Sequence, residues 1–247
     1  MGNWLLIGGT SGIAIPLARE LVKRGHRLYL TERENALERC REVANDLQIR
    51  AAVEVMVGRF EAMEPDRHGT FIAEVEKAFG ELDGVIWVAG VLLPQADMER
   101  DPALAQLQHA VNYTAAITVL TSAASIMAER GRGMIVGFCS PAGDRIRKSN
   151  FFYGIDKQAL EGLLEGLRLR FGEQGIKVVV AKPGPTATPM TAGLPKQPLL
   201  AQPEVVAKEI AKAIDKGCEV VYAPGIWRWI MLIIRNLPEF IFRKLSI

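Results

Sequence analysis

Near-continuous apolar runs alternate along this chain with longer segments whose apolar residues recur every three or four positions. The runs NWLLIG, HRLYLT, AAVEVMV, DGVIWVAG, GMIVGFCS, IKVVVAKPG and EVVYAPG are rich in Val, Ile and Leu. Runs without polar alternation predict strands that are covered on both faces. Between them, amphipathic spacing predicts helices over 17–23, 35–46, 71–79, 103–130, 158–171 and 204–215. Pro16 fits the first helix if that helix starts near Ile13, because the first turn has no use for the missing N–H. Strand–helix alternation of this kind builds right-handed crossovers. The expected fold class is α/β, a doubly wound parallel sheet of about seven strands flanked by helices.

Composition narrows the class. Of 247 residues, 49% are hydrophobic, enough for a sizeable core, and no repeat or low-complexity linker divides the chain. One domain over 1–247 is expected, ending in an apolar and basic tail from about 225. Formal net charge is +2 with acids and bases interspersed, which excludes the basic stripe of a nucleic-acid binder. Cys40, Cys139 and Cys218 are odd in number and far apart, with no CxxC. A disulfide framework and a cysteine zinc site are therefore not expected, and a reducing cytoplasmic setting is. His26, His68 and His109 share no ligand spacing and read as surface or local polar residues, so no metal is expected. The start MGNWLLIGG has no basic leader or cleavage site, and Leu6 stands where a myristoylation signal needs Ser or Thr.

In a doubly wound sheet, ligands bind beyond the carboxyl ends of the strands. GGTSGIA follows the first strand, with Gly8 suited to a tight turn and Gly12 to close approach of a pyrophosphate at a helix start. Later, Tyr153 and Lys157 stand four apart in FFYGIDKQALEGLLEGL, where i and i+4 share a helix face.

These features together resemble the short-chain dehydrogenase/reductase family over essentially the whole length. IGGTSGIA is similar to its TGxxxGxG turn, and WVAG keeps Ala89 and Gly90 of its NNAG motif. Asn112, Ser140 and YGIDK match its asparagine, serine and YxxxK. Pro183, Gly184 and Thr188 match its Pro-Gly-x-x-x-Thr segment. The resemblance implies a Rossmann fold and an NAD(P)-dependent oxidoreductase interconverting a secondary alcohol and a ketone. A competing reading from another class is a dinucleotide-binding sensor without turnover, against which the complete Asn–Ser–Tyr–Lys set argues.

Carbonyl reduction moves a hydride to carbon and a proton to oxygen. A tyrosine with a pKa near ~10 is a poor base at neutral pH, and a neighbouring ammonium would favour its phenolate. Tyr153 is thus the expected acid/base and Lys157 its electrostatic partner, which the family also uses to hold the nicotinamide ribose. Ser140 would bond the substrate oxygen, and Asn112 would extend a water relay. The cofactor is expected on Gly8, Thr10, Ser11, Gly12 and Ile13 of the turn, on Ala89 and Gly90, and on Pro183, Gly184, Thr186 and Thr188. Glu32 ends the second strand where NAD-using members carry an acid, so NAD is expected. Arg33 favours the alternative, NADP, and Glu61 is placed on the adenine side.

Substrate and assembly are the remaining expectations. CSPAGDRIRKSNFFYGIDK and the tail resemble the branch that reduces a decaprenylphosphoryl keto-pentose, so a lipid-linked carbonyl substrate stands beside an ordinary small molecule. Arg145, Arg147 and Lys148 are candidates for its phosphate. The stretch 189–204, rich in Pro and Gly, is where the family places a substrate lid. A homodimer or homotetramer is expected through Ala115, Ala116, Ala123 and Ala124 and the neighbouring leucine stripe. The tail WRWIMLIIRNLPEFIFRKLSI is too short and interrupted to span a bilayer. It is read as covering the pocket or an interface, or as a peripheral contact at the inner face of the membrane.

Overall fold

In the computed structural model, residues 1–193 and 199–244 are described. The strands are β1 (Asn3–Ile7), β2 (Arg27–Glu32), β3 (Val55–Arg59), β4 (Gly84–Trp87), β5 (Gly133–Phe138), β6 (Ile176–Pro183) and β7 (Val220–Ala223). The helices are α1 (Ala14–Lys23), α2 (Leu37–Ala51), α3 (Pro65–Phe79), α4 (Gln95–Arg100), α5 (Pro102–His109), α6 (Ala115–Glu129), α7 (Pro141–Asp144), α8 (Phe151–Phe171), α9 (Pro203–Lys216), α10 (Ile226–Asn236) and α11 (Glu239–Phe242). All strand pairs are parallel and the sheet order is β3-β2-β1-β4-β5-β6-β7. The predicted class is therefore observed.

The apolar runs form strands because both of their faces are covered. In β1, Leu5 and Ile7 join one core with α3, α6 and α8, while Trp4 and Leu6 join the other with α1, α2 and α9. The same alternation splits β4 between Val85 and Trp87 on one side and Ile86 on the other. Burying each of these large side chains stabilises the fold by about 1.5–3 kcal/mol, opposed by the entropy of ordering the chain.

Boundaries differ where local chemistry overrides periodicity. Helix α8 starts at Phe151, so Tyr153 and Lys157 both stand on regular helix. Helix α3 starts six residues early, at Pro65, whose missing N–H suits a first turn. The helix expected over 103–130 is interrupted by a π turn at Ala110–Thr114, which contains Asn112. Of the expected lid, residues 194–198 lie outside the described residues, as do 245–247 of the tail.

Candidate active site

The sheet order reverses at β1, which runs between β2 and β4 and opens a crevice at the strands' carboxyl ends. A cleft of about 700 Å³ occupies it. Every residue named above for the cofactor lines it, from Gly8 and Glu32 through Glu61 and Gly90 to Gly184 and Thr188. Gly8 has φ +90°, and a Cβ there would lie 2.8 Å from the Ala89 nitrogen. A Cβ on Gly12 would lie 2.6 Å from Thr188 Cγ2. Two glycines thus keep open a cradle that any side chain would fill, at the N-terminus of α1, where a pyrophosphate fits. Ser11 Oγ accepts from Ala14 N at 3.1 Å and ties the turn to that helix. Glu32 is fixed as well, its Oε1 accepting from Thr10 N at 3.2 Å and Thr10 Oγ1 at 2.8 Å. Arg39, on the first turn of α2, also lines this end, two turns of sequence beyond the strand end and unremarked in its charged surroundings.

Ser140 lies just beyond β5, caps α7 and accepts from Ala142 N at 3.1 Å. Tyr153 is half-buried on the same wall, and its hydroxyl is pushed up to about 12 by burial, against the hydrogen bond to Ser140. Lys157 is buried, donates to the Phe138 carbonyl at 2.8 Å and lies 5.6 Å from the Tyr153 ring centroid. Burial also lowers its own pKa. In the chain by itself the shift runs opposite to the depression expected from Lys157: burial is its largest cause, Cys139 and Asp156 add to it, and the Ser140 hydrogen bond opposes it. Cys139, beside Ser140, is a packed thiol held up at about 12 by burial.

Asn112 is the one catalytic candidate off the cleft wall. It is fully buried, with Oδ1 accepting from Val91 N at 2.7 Å and Nδ2 donating to the Val91 carbonyl and to Asp156 Oδ2, both at 3.0 Å. Both amide hydrogens are engaged, so the side chain clamps the segment after β4 rather than facing the cleft. Sequence reasoning missed Asp156, the buried carboxylate just before Lys157. It also takes Gln108 Nε2 at 3.0 Å and His109 Nδ1 at 2.9 Å. His68, read as a surface or local polar residue, is buried against Phe60.

A second missed group is Lys182, just before Pro183. Its buried ammonium pairs with Asp144 and, at 2.6 Å, with Glu161. Tyr222 completes the cluster by donating to Asp144 Oδ2 at 2.6 Å. The acids hold the Lys182 pKa above its ordinary value against the cost of burial.

Three further expectations are corrected. Arg145 does not face the cleft. It donates to the carbonyls of Ile234 at 2.6 Å and Leu237 at 2.5 Å, at the end of α10, where carbonyls lack the full set of helical partners. Of the basic trio, Lys148 is exposed and only Arg147 lines the cleft. The alanines of α6 are buried inside this chain, as are Leu160, Leu164 and Leu167, so these stripes are core rather than interface. Helix α10 turns Trp227 and Met231 inward, and Trp227 lines the cleft against Gly184. A Cβ on Gly184 would lie 2.1 Å from Trp227 Nε1, which is why glycine stands there.

Comparison with known proteins agrees with this geometry. The short chain dehydrogenase family model matches residues 3–199. An uncharacterized oxidoreductase of Mycobacterium tuberculosis, Rv2073c, is 33% identical over 98% of this chain and 96% of its own. An uncharacterized oxidoreductase from the mprA 5′ region of Streptomyces coelicolor is 34% identical, covering 98% of this chain and 95% of that one. A short-chain dehydrogenase from Sphingobium yanoikuyae, solved with NADPH, has a TM-score of 0.84 at 21% identity, covering 97% of each chain. The chain belongs to the short-chain dehydrogenase/reductase family, enzymes that interconvert alcohols and ketones with NAD(P).

Proposed function

We propose that the enzyme works as a carbonyl reductase in which Tyr153 gives the proton. The observation that carries this is the convergence of Ser140, Tyr153 and Lys157 on one wall of the cleft beyond the end of β5. When bound, NAD(P)H supplies the hydride to the carbonyl carbon. The Tyr153 hydroxyl delivers its proton to the carbonyl oxygen, and Ser140 steadies that oxygen as charge develops. Lys157, anchored on the Phe138 carbonyl, keeps a cation beside the phenolate left behind, with two further N–H groups that would hold the ribose. Asn112 acts at one remove, through Val91 and Asp156. Tyr153→Phe keeps the ring and removes the proton, so turnover should fall at least ~100-fold with cofactor affinity little changed. Near wild-type turnover would remove Tyr153 from this role.

NAD is the proposed cofactor. Glu32 is anchored by Thr10 at the end of β2, where a carboxylate accepts from ribose hydroxyls and repels a 2′-phosphate. Assembly as a homodimer or homotetramer is proposed through the outward faces of α6 and α8, where Ile117, Ile155 and Leu169 are exposed. A strictly monomeric active enzyme by light scattering at micromolar concentration would contradict it.

A second reading, a lipid-linked substrate with peripheral membrane contact, is favoured by the outer face of α10. Ile226, Trp229, Leu232 and Ile233 are exposed there, and Arg228 and Arg235 flank the run. Co-sedimentation with anionic vesicles at low salt, lost in Trp229→Ser/Ile233→Ser, is the expected result. Absence of binding by the intact chain would leave the small-molecule substrate.

A further inference from the structure

The loop between α7 and α8 carries two charged side chains with opposite fates. Arg145 points away from the cleft into the end of α10. Arg147, two residues on, lines the cleft and is half-buried. Among the described residues its guanidinium has no hydrogen bond and no ion pair; burial disfavours its charge, and only the field of Asp144 opposes this. Asp144 is instead bonded by Lys182 at Oδ1 and by Tyr222 at Oδ2. A guanidinium cannot shed its proton to escape this cost, so it is best satisfied by an anion that enters the cleft.

Two more polar groups on the same walls lack partners. Asn150 stands at the N-cap of α8, where a carboxamide ordinarily accepts from the first turn. Among the described residues it makes no such bond, and its Oδ1 is buried and unpaired on the cleft wall. Trp227 is 6% exposed, and among the described residues its Nε1 is likewise buried and unpaired. Helix α10, which brings it, packs against α7 just beyond Ser140. Buried polar atoms without partners are uncommon in folded chains and call for an explanation. Here one comes from the loop joining Ser140 to Tyr153 and the other from the helix beside it.

We infer that Arg147, assisted by the indole N–H of Trp227, receives an anionic group of the substrate, so that the carbonyl compound carries a carboxylate or a phosphate ester beside its reacting carbon. This rests on the reading of Ser140, Tyr153 and Lys157 as the reacting centre. A planar guanidinium meets either oxyanion with two parallel hydrogen bonds, and the indole N–H can take a remaining oxygen, while Asn150 Oδ1, an acceptor, suits a hydroxyl of the same substrate. A phosphate on a lipid carrier and one on a free metabolite present the same chemistry to it.

The test uses matched probes with saturating NADH, which keeps the Arg33 and Arg39 end of the cleft engaged. Acetoacetate is compared with its methyl ester, and dihydroxyacetone phosphate with dihydroxyacetone, by calorimetric binding and by turnover. The wild type should bind at least one anion ~10-fold or more tighter than its neutral counterpart. Arg147→Gln should abolish that preference by weakening the anions ~10-fold more than their neutral counterparts, while Arg147→Lys should keep part of it. Circular dichroism checks that each variant is folded. No anion preference in the wild type, or a preference that survives Arg147→Gln, overturns the inference. Turnover of neutral ketones that needs Tyr153 but shows no anion preference would sink this inference alone. Ketone turnover unaffected by Tyr153→Phe would instead sink the reacting centre. A vesicle-embedded prenyl phosphate that competes with acetoacetate, where dihydroxyacetone phosphate does not, would identify the lipid as the source of the anion.

Discussion

Arg145→Met tests what holds the C-terminal helices against the cleft. The side chain is 15% exposed and reaches across about ninety residues of sequence to the end of α10. Its Nη1 donates at 2.6 Å to Ile234 and 2.5 Å to Leu237, with a weak third contact at 3.4 Å to Arg235. Its guanidinium carbon sits 3.9 Å from the Phe242 ring centroid. Hydrogen bonds to a charged group contribute about 1.5 kcal/mol each at the low end, so the two short ones are worth about 3 kcal/mol. Contact with Phe242 adds about 0.5 kcal/mol. The ion pair to Glu239 is discounted nearly to zero, because that carboxylate is 61% exposed. Methionine keeps the apolar stem and removes the donors. Losing about 3 kcal/mol locally should raise the opening equilibrium of α10 and α11 about 100-fold. Native-state hydrogen exchange reads it directly, at the amides of Arg243 and Lys244 and through α10, with β1 and β4 as an unaffected reference. Protection of α10 and α11 within ~5-fold of wild type would refute the reasoning, since the carbonyls would then be satisfied as well by water.

Other outcomes follow from single sites. Lys182→Met should destabilise the fold by about 3–5 kcal/mol in denaturant titration, because it leaves Glu161 without its cation and the buried Asp144 with Tyr222 alone; a loss under 1 kcal/mol would mean that water screens them. Glu32→Gln should shift the ratio of kcat/KM for NADPH over NADH upward by roughly 10-fold, by removing a negative charge beside the 2′ position while Arg33 and Arg39 remain; an unchanged ratio would separate Glu32 from cofactor choice. The Glu76 carboxyl is held below its ordinary value by bonds from Arg130 at 2.7 and 3.0 Å, which overcome the opposing cost of burial. A depressed folded pKa contributes stability that is present above the unfolded value near ~4.3 and lost as pH falls through the folded value. Glu76→Gln should therefore flatten the acid limb of the stability curve, and an unaltered limb would assign acid unfolding to other groups.

The residues that sequence reasoning located share a position. Gly8, Glu32, Gly90, Ser140 and Gly184 all stand at or just beyond carboxyl ends of strands, and a parallel sheet brings every such end to one edge. Spacing along the chain was enough to find them, because the fold class alone made them neighbours. What sequence did not reveal depends on pairs joined only in three dimensions. Asp156 lies beside the YxxxK lysine, yet its meaning comes from Gln108, His109 and Asn112 on a π turn more than forty residues away. The apolar rhythm of 103–130 runs on through that turn and conceals it. Arg145 answers backbone carbonyls, which have no signature in sequence, so its charge looked available for a ligand. The sign of the Tyr153 shift was inaccessible for a related reason: a sequence names the neighbouring ammonium but not the depth at which the phenol is buried. The groups that escaped notice have a common task. Lys182 joins the end of β6, which carries Pro183 and Gly184, to Asp144 of the helix capped by Ser140 and to Glu161, one turn beyond Lys157. Asp156 and Asn112 join the same α8 to the segment after β4. Motif residues meet at the cleft because of topology. Their mutual distances are set by buried polar side chains whose partners are remote in sequence, and substitutions there should alter rate before they alter which residues line the cleft.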